Sequence, residues 1–191
     1  MYKTSKDRRF QKNKKALQQA FIELTVEKGY SALTVSAITR RADVDRMTFY
    51  SHYDTIDDIF REFVDDMERE ISERISEEGG FNIDRFFEIL NSLMYKEIEF
   101  FRHAAAASSA DLRTAFKDTI GRLIRVDLGS NTDLTESQKT VISDLAAVCI
   151  AYSYLDWLTG DYGDISLDEV VGITKGLLKD HLPQVMYNKE I

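Results

Sequence analysis

One cysteine, Cys149, and one proline, Pro183, occur among the 191 residues. A single thiol excludes an internal disulfide framework and fits a reducing compartment. Pro183 falls where a last helix should stop, and no earlier proline interrupts the chain. Sustained apolar/polar alternation, the mark of a half-buried strand, is absent, so the sequence predicts an all-α fold. No apolar run suits a signal peptide, and none is long enough to span a bilayer; a cytoplasmic protein without a membrane partner is expected. Gly-rich phosphate loops and metal-ligand spacings are missing as well, the histidines His52, His103 and His181 are scattered, and Cys149 lacks a sequence neighbour that would activate it. These absences predict a protein that is not an enzyme and carries no cofactor or metal.

Charge is present but unevenly placed. The whole chain has 25 basic and 33 acidic residues, which by itself argues against nucleic acid. Residues 1–53 reverse the sign, with 11 basic residues, Lys3 through Arg46, against 5 acidic ones; residues 54–191 hold the other 14 and 28. Such a split places a phosphate-binding surface at one end and keeps DNA off the rest. The stretch from Lys3 to Lys15, including Lys6, Lys12, Lys14 and Lys15, reads as a basic arm that becomes helical by about Phe10. A solvated arm with no nucleic-acid role is the alternative for the basic run taken alone.

The segment from Thr34 to Tyr53 reads as two short helices joined by a tight turn. Thr34 is an N-cap, and Val35, Ile38 and Ala42 then follow at the spacing of one buried face. Asp43-Val44-Asp45 breaks that helix, with Val44 plugging the angle and Asp45 able to cap the next helix. From about Arg46, the residues Met47, Phe49, Tyr50 and Tyr53 supply bulk, while Arg46, Thr48, Tyr50 and His52 present hydrogen-bonding groups. A helix this short has to be held by neighbours. A preceding helix, Phe10 to Lys28, offers Leu17, Ala20, Phe21 and Leu24 on one face, and Gly29 supplies a left-handed stop. Docked in a major groove, the second short helix would reach base edges with its first residues and phosphates with its flanks.

These residues resemble the TetR/AcrR family of bacterial one-component transcription regulators. The resemblance covers about residues 10–67: Ala16-Leu17, Ala20-Phe21, Gly29-Tyr30, Leu33-Thr34-Val35, Ile38, Ala42, Val44, Thr48-Phe49-Tyr50, His52-Tyr53 and Ile59-Phe60. It implies an N-terminal three-helix helix-turn-helix domain, a C-terminal helical ligand-binding and dimerisation domain, and a homodimer on a palindromic double-stranded DNA operator. It also implies that Thr34 caps a helix abutting a phosphate, that Thr48, Tyr50 and His52 lie on the recognition helix, and that Arg46 reads sequence. Arg46 and Thr48 are the expected base contacts; Thr34, Tyr50, His52 and the arm lysines Lys12, Lys14 and Lys15 are the expected phosphate contacts. The chain departs from the family pattern at Asp43, where glycine is usual, at Asp45 and Met47, and at Thr55-Ile56, where a small residue and lysine usually stand. The Arg-x-Thr-Phe-Tyr variant, with Tyr154-Leu155-Asp156-Trp157, is most similar to a subgroup that includes regulators of dihydroxyacetone kinase operons, some of which answer to a partner protein.

The expected domains are 1–55 for DNA binding and 56–191 for regulation and dimerisation, with a helix over 56–78 linking them. Ile56, Ile59, Phe60, Phe63, Val64, Met67, Ile71 and Ile75 mark that helix, and Gly79-Gly80 ends it. Further helices are predicted at roughly 82–103, 109–127, 136–159 and 167–182, the last two started by capping boxes at Thr135/Gln138 and Ser166/Glu169. The run Ala104–Ser109 permits either close helix approach or a break. Apolar residues of 136–159 occupy more than one face, so the helix has to be covered on two sides, and the last helix would complete a four-helix dimer bundle. For a ligand, the candidates are Phe86, Phe101, His103, Cys149, Tyr152 and Trp157, with Phe87, Leu90, Met94, Phe100 and Phe116 around them; ordinary helical core is the competing reading of each. The function expected is a ligand-responsive transcriptional regulator, a repressor with an unknown small-molecule inducer or partner protein. The alternative is a coactivator or adaptor that keeps the helix-turn-helix fold and acts through a partner protein.

Overall fold

The computed structural model describes residues 5–77, 82–106, 110–128 and 134–181. Regular structure among them is entirely helical, apart from turns: α1 (Ser5–Lys28), a single 3-10 turn (Tyr30–Ala32), α2 (Val35–Arg41), α3 (Arg46–Tyr50), α4 (Ile56–Glu77), α5 (Ile83–Lys96), α6 (Ile98–Ala106), α7 (Ala110–Leu128), α8 (Glu136–Thr159) and α9 (Leu167–His181). Gly79, Gly80, Ser108, Ser109, Leu182 and Pro183 lie outside the described residues, and with them the expected stops of two helices. The chain divides into two compact units, Met1–Phe63 and Val64–Ile191, and α4 contributes residues to both.

In the first unit the core is Leu17, Ala20, Phe21 and Leu24 of α1, Ile38 of α2, Phe49 of α3, then Tyr53, and Ile59 and Phe60 of α4, all buried. Each large apolar side chain removed from water contributes roughly 1.5–3 kcal/mol, and that contribution holds α3, whose five residues cannot sustain a helix alone. Tyr30 stands edge-on to both Phe21 and Phe60, at 5.7 and 6.0 Å. Gly29 ends α1 with φ 79° but ψ 152°, extended and not left-handed helical as the sequence suggested. Only glycine reaches that region readily.

The second unit has its centre where α7 and α9 pack on α8. Ile83, Phe86, Phe87, Leu90 and Met94 of α5, Phe100 and Phe101 of α6, Ile120 and Ile124 of α7, and Ala146, Ile150 and Tyr154 of α8 are buried there. Tyr154 lies parallel to Phe87 at 6.5 Å, and its hydroxyl donates to Asn91 Oδ1. Burial pushes the Tyr154 phenol well above its usual value, so it stays a neutral donor.

The helix expected over 82–103 is two helices, broken at Glu97 with φ −126° and ψ 36°. Position 97 continues the buried stripe of Phe86, Leu90, Leu93 and Met94; an unbroken helix would carry its carboxylate into the core, a costly burial. Both capping boxes form. Thr135 N–H donates to Gln138 Oε1 at 2.8 Å and Gln138 N–H to Thr135 Oγ1 at 3.3 Å, with the same exchange between Ser166 and Glu169 at 3.0 and 3.2 Å. Gly160, φ 83°, closes α8: its own N–H donates to the Trp157 carbonyl and the Asp161 N–H to the Asp156 carbonyl.

By length and apolar content α8 would suffice to cross a membrane, contrary to the expectation that no run was long enough. Its inner side is instead occupied by packing with α6, α7 and α9. Its outer side carries an apolar stripe, Val141, Leu145, Val148 and Tyr152, and α9 exposes Ile173 and Leu177. Ser153 and Thr174, hydrogen bonded at 2.9 Å, join the two helices beside these stripes.

Candidate nucleic-acid interface

Local chemistry sets the geometry of α2 and α3. Thr34 is extended and its Oγ1 accepts from the Ala37 N–H at 3.2 Å, which starts α2. At the end of α2 the chain reverses through Asp43, φ 53°, the one non-glycine with positive φ among the described residues. The Val44 N–H then donates back to the Thr39 carbonyl at 3.0 Å. Aspartate adopts this conformation more readily than most side chains, which is why the turn forms without a glycine. Asp45 follows as N-cap of α3, its Oδ1 accepting from the Thr48 N–H at 2.6 Å. That backbone hydrogen bond holds the Asp45 carboxyl below its usual range, so the charge is spent on the helix terminus.

From this frame α3 points Phe49 inward, fully buried, and leaves Arg46, Met47 and Tyr50 exposed, Met47 at 83% and Tyr50 at 56%. Thr48 is half-buried. The Arg46 guanidinium donates to the Ser36 hydroxyl on α2. His52 is half-buried against Phe10, ring centroids 3.9 Å apart, and its buried Nδ1 has no hydrogen-bond partner. Burial, then the nearby Lys14 ammonium, pushes the His52 pKa down.

Behind α3 sits a polar hub that the sequence did not reveal. The Glu62 carboxylate on α4 accepts from the Tyr53 hydroxyl, from Gln18 Nε2 at 3.1 Å and from the Lys14 ammonium. It ties α1, the end of the reader and α4 together through one side chain. Arg41 makes a comparable clamp from α2 to α1, at 2.7 Å from both Glu27 oxygens and 2.9 Å from Glu23. Thr55 forms a reciprocal cap on α4: its N–H donates to Asp58 Oδ2 at 2.7 Å and its Oγ1 accepts from the Asp58 N–H at 3.3 Å.

The expected site residues of this unit are therefore placed as follows. Thr34, Arg46 and Tyr50 are exposed around the α2–α3 turn; Lys12 and Lys15 are exposed on α1; Lys14 is paired with Glu62; and His52 packs against α1. Met47, read from the sequence as bulk, is on the outward side. The signal was there: Phe49 and Tyr53 at i and i+4 define the buried face, and position 47 lies on the opposite one.

The ligand candidates do not converge. Phe86 and Phe101 are core, and His103 and Trp157 are half-buried, with Trp157 Nε1 donating to the Ile165 carbonyl at 2.9 Å and the Arg102 guanidinium 5.8 Å from its ring. Cys149 and Tyr152 are exposed on the outer side of α8. The inward positions of that helix are filled by Ala146, Ala147, Ile150, Ala151 and Tyr154 at helical spacing, which turns 149 and 152 away from the core.

A capped short helix displayed after a left-handed turn, on a buried three-helix support, is the architecture of helix-turn-helix proteins. Residues 13–63 match the family described as bacterial regulatory proteins, tetR family, so the helix-turn-helix unit of this chain is similar to that family's. YxbF, an uncharacterized HTH-type transcriptional regulator of Bacillus subtilis (strain 168), is 46% identical over 48 residues. The match covers 25% of this chain and 13% of YxbF, so the chain spans a small part of that curated relative. Among solved structures, the dihydroxyacetone kinase operon activator DhaS is similar with a TM-score of 0.65 at 16% identity, over 88% of this chain and 94% of that one. Thermus thermophilus FadR, a TetR-family transcriptional repressor in complex with lauroyl-CoA, is similar with a TM-score of 0.59 at 17% identity, over 89% and 95%. At these identities the likeness to both is one of fold.

Proposed function

We propose that this protein is a DNA-binding transcriptional regulator, acting in the cytoplasm as a homodimer on a palindromic operator and repressing transcription there. The observation that carries the reading is α3: buried through Phe49, capped by Asp45 and exposed at Arg46, Met47 and Tyr50. Arg46 and Thr48 contact base edges, while Thr34, Tyr50, Lys12 and Lys15 contact phosphates. Lys14 is on α1 and His52 packs against Phe10 of the same helix, and they reach phosphate by exchanging Glu62 and Phe10 for it.

Dimerisation is supported by the paired apolar stripes of α8 and α9, which include Leu145 at 60% and Ile173 at 59% exposure. Covering them with a second copy buries apolar area in an isologous contact. Two readers then enter successive major grooves about 34–36 Å apart or a multiple of that. A small-molecule inducer or partner protein acting on the second unit releases the operator by favouring a conformation in which the readers no longer match that spacing.

The test is a gel shift with the upstream region of the protein's own gene at several salt concentrations. Affinity is expected to fall steeply with salt. Tyr50→Ala should weaken binding across sequences, and Arg46→Ala should relax discrimination between them. Wild type and both variants binding alike would refute the assignment. A distinct protein copurifying with a chain that ignores duplex DNA would favour an adaptor instead.

A further inference from the structure

Met47 is 83% exposed, flanked by the polar residues Arg46 and Thr48 and one turn from Tyr50 and Ser51. Its neighbour Arg46 is drawn onto α2 by the hydrogen bond to Ser36, while Met47 stays in water, although Ile38 of α2, Phe49 of α3 and Ile59 and Phe60 of α4 in the same unit are buried. It occupies the second position of α3, and the first residues of a recognition helix are those that face base edges. A thioether donates no hydrogen bond and accepts only weakly. Beside the hydrogen-bond donors and acceptors that base pairs present in the major groove, the thymine C5-methyl is the apolar group that a side chain can read.

We infer that Met47 is a specificity-determining residue that reads a thymine methyl group in each half-site. The inference rests on the operator-binding reading above and adds the chemical feature recognised. An unbranched side chain with three rotatable bonds can follow the methyl as the groove geometry varies. Arg46, released from Ser36, is then left to discriminate a neighbouring base.

The full-length protein is used to select duplexes from a randomised library, and each thymine of the selected site is then replaced by uracil, which lacks only the methyl group. Wild-type affinity should fall about 4-fold when the contacted thymine of one half-site is replaced, the equivalent of ~0.8 kcal/mol for one buried methyl, and about 16-fold when both are. Met47→Ala, which removes the contact from both subunits, should lose affinity for the thymine duplex by about the larger factor and be indifferent to the uracil replacement, with an unchanged melting temperature because the side chain is exposed. Met47→Gln, of similar length, should select adenine where wild type selects thymine. Wild-type indifference to every uracil replacement overturns the inference while leaving operator binding intact, as does equal uracil sensitivity in wild type and Met47→Ala. Enrichment of no duplex at all overturns the operator-binding reading, and this inference with it.

Discussion

Asp43 and His52 show how single residues carry both the fold and its cost. Asp43 holds φ 53° where a glycine would be unstrained. Asp43→Gly should change stability by less than about 1 kcal/mol, relief of strain opposing the greater freedom of the unfolded chain, whereas Asp43→Val should destabilise by roughly 1–2 kcal/mol; urea denaturation of the two variants checks this. His52 has its pKa lowered by burial and by Lys14, with Glu62 acting the other way. A histidine held below its ordinary value binds fewer protons folded than unfolded, so stability is full above pH 6.5 and declines as pH falls through that value toward the lowered one. Melting temperatures at pH 7.5 and 5.5 should differ more for wild type than for His52→Gln. An equal difference in both would place the acid sensitivity elsewhere.

Between elements, the placement of α3 depends on a side chain outside it, the Glu62 carboxylate on α4. Glu62 gathers Tyr53 from just beyond the end of α3 and Gln18 and Lys14 from α1. Glu62→Ala removes the carboxylate that the Tyr53 hydroxyl, Gln18 and Lys14 share, which should cost about 1–3 kcal/mol, while Tyr53→Phe, removing one donor, should cost nearer 1 kcal/mol. The double variant should cost less than the two single losses combined, since one interaction is removed twice; additive losses in chemical denaturation would show the hub to be inert. The break at Glu97 is an element-scale decision too. The apolar pattern runs straight through 82–103, and a reading by period alone joins α5 to α6; one carboxylate on the buried stripe ends the helix because its charge cannot follow Met94 into the core.

For the whole molecule, the uneven charge and the outer stripes of α8 and α9 define what the two units offer. Two of the basic residues counted toward a DNA surface, Lys14 and Arg41, are already engaged by Glu62 and by Glu23 and Glu27. The positive field of the first unit is thus weaker than the count of basic residues suggests. Leu145→Asp combined with Ile173→Asp puts carboxylates on exposed positions, so it should leave the fold intact and convert a dimer to monomers in sedimentation velocity. Unchanged sedimentation of that variant would remove the α8–α9 face from the assembly.

The sequence by itself determined the helical class, the helix starts at Thr34, Asp45, Thr135 and Ser166, and the tolerance of Asp43 for its turn. All of these follow from interactions within a few residues, where a cap, a capping box or a positive φ is decided by side chains next to one another. Tertiary structure alone decided that Glu62 lies behind Tyr53, that His52 packs on Phe10, that Arg46 reaches Ser36 and that Cys149 and Tyr152 turn outward. Those outcomes depend on which helix faces compete for a limited interior, and residues distant in sequence meet only after that competition is settled.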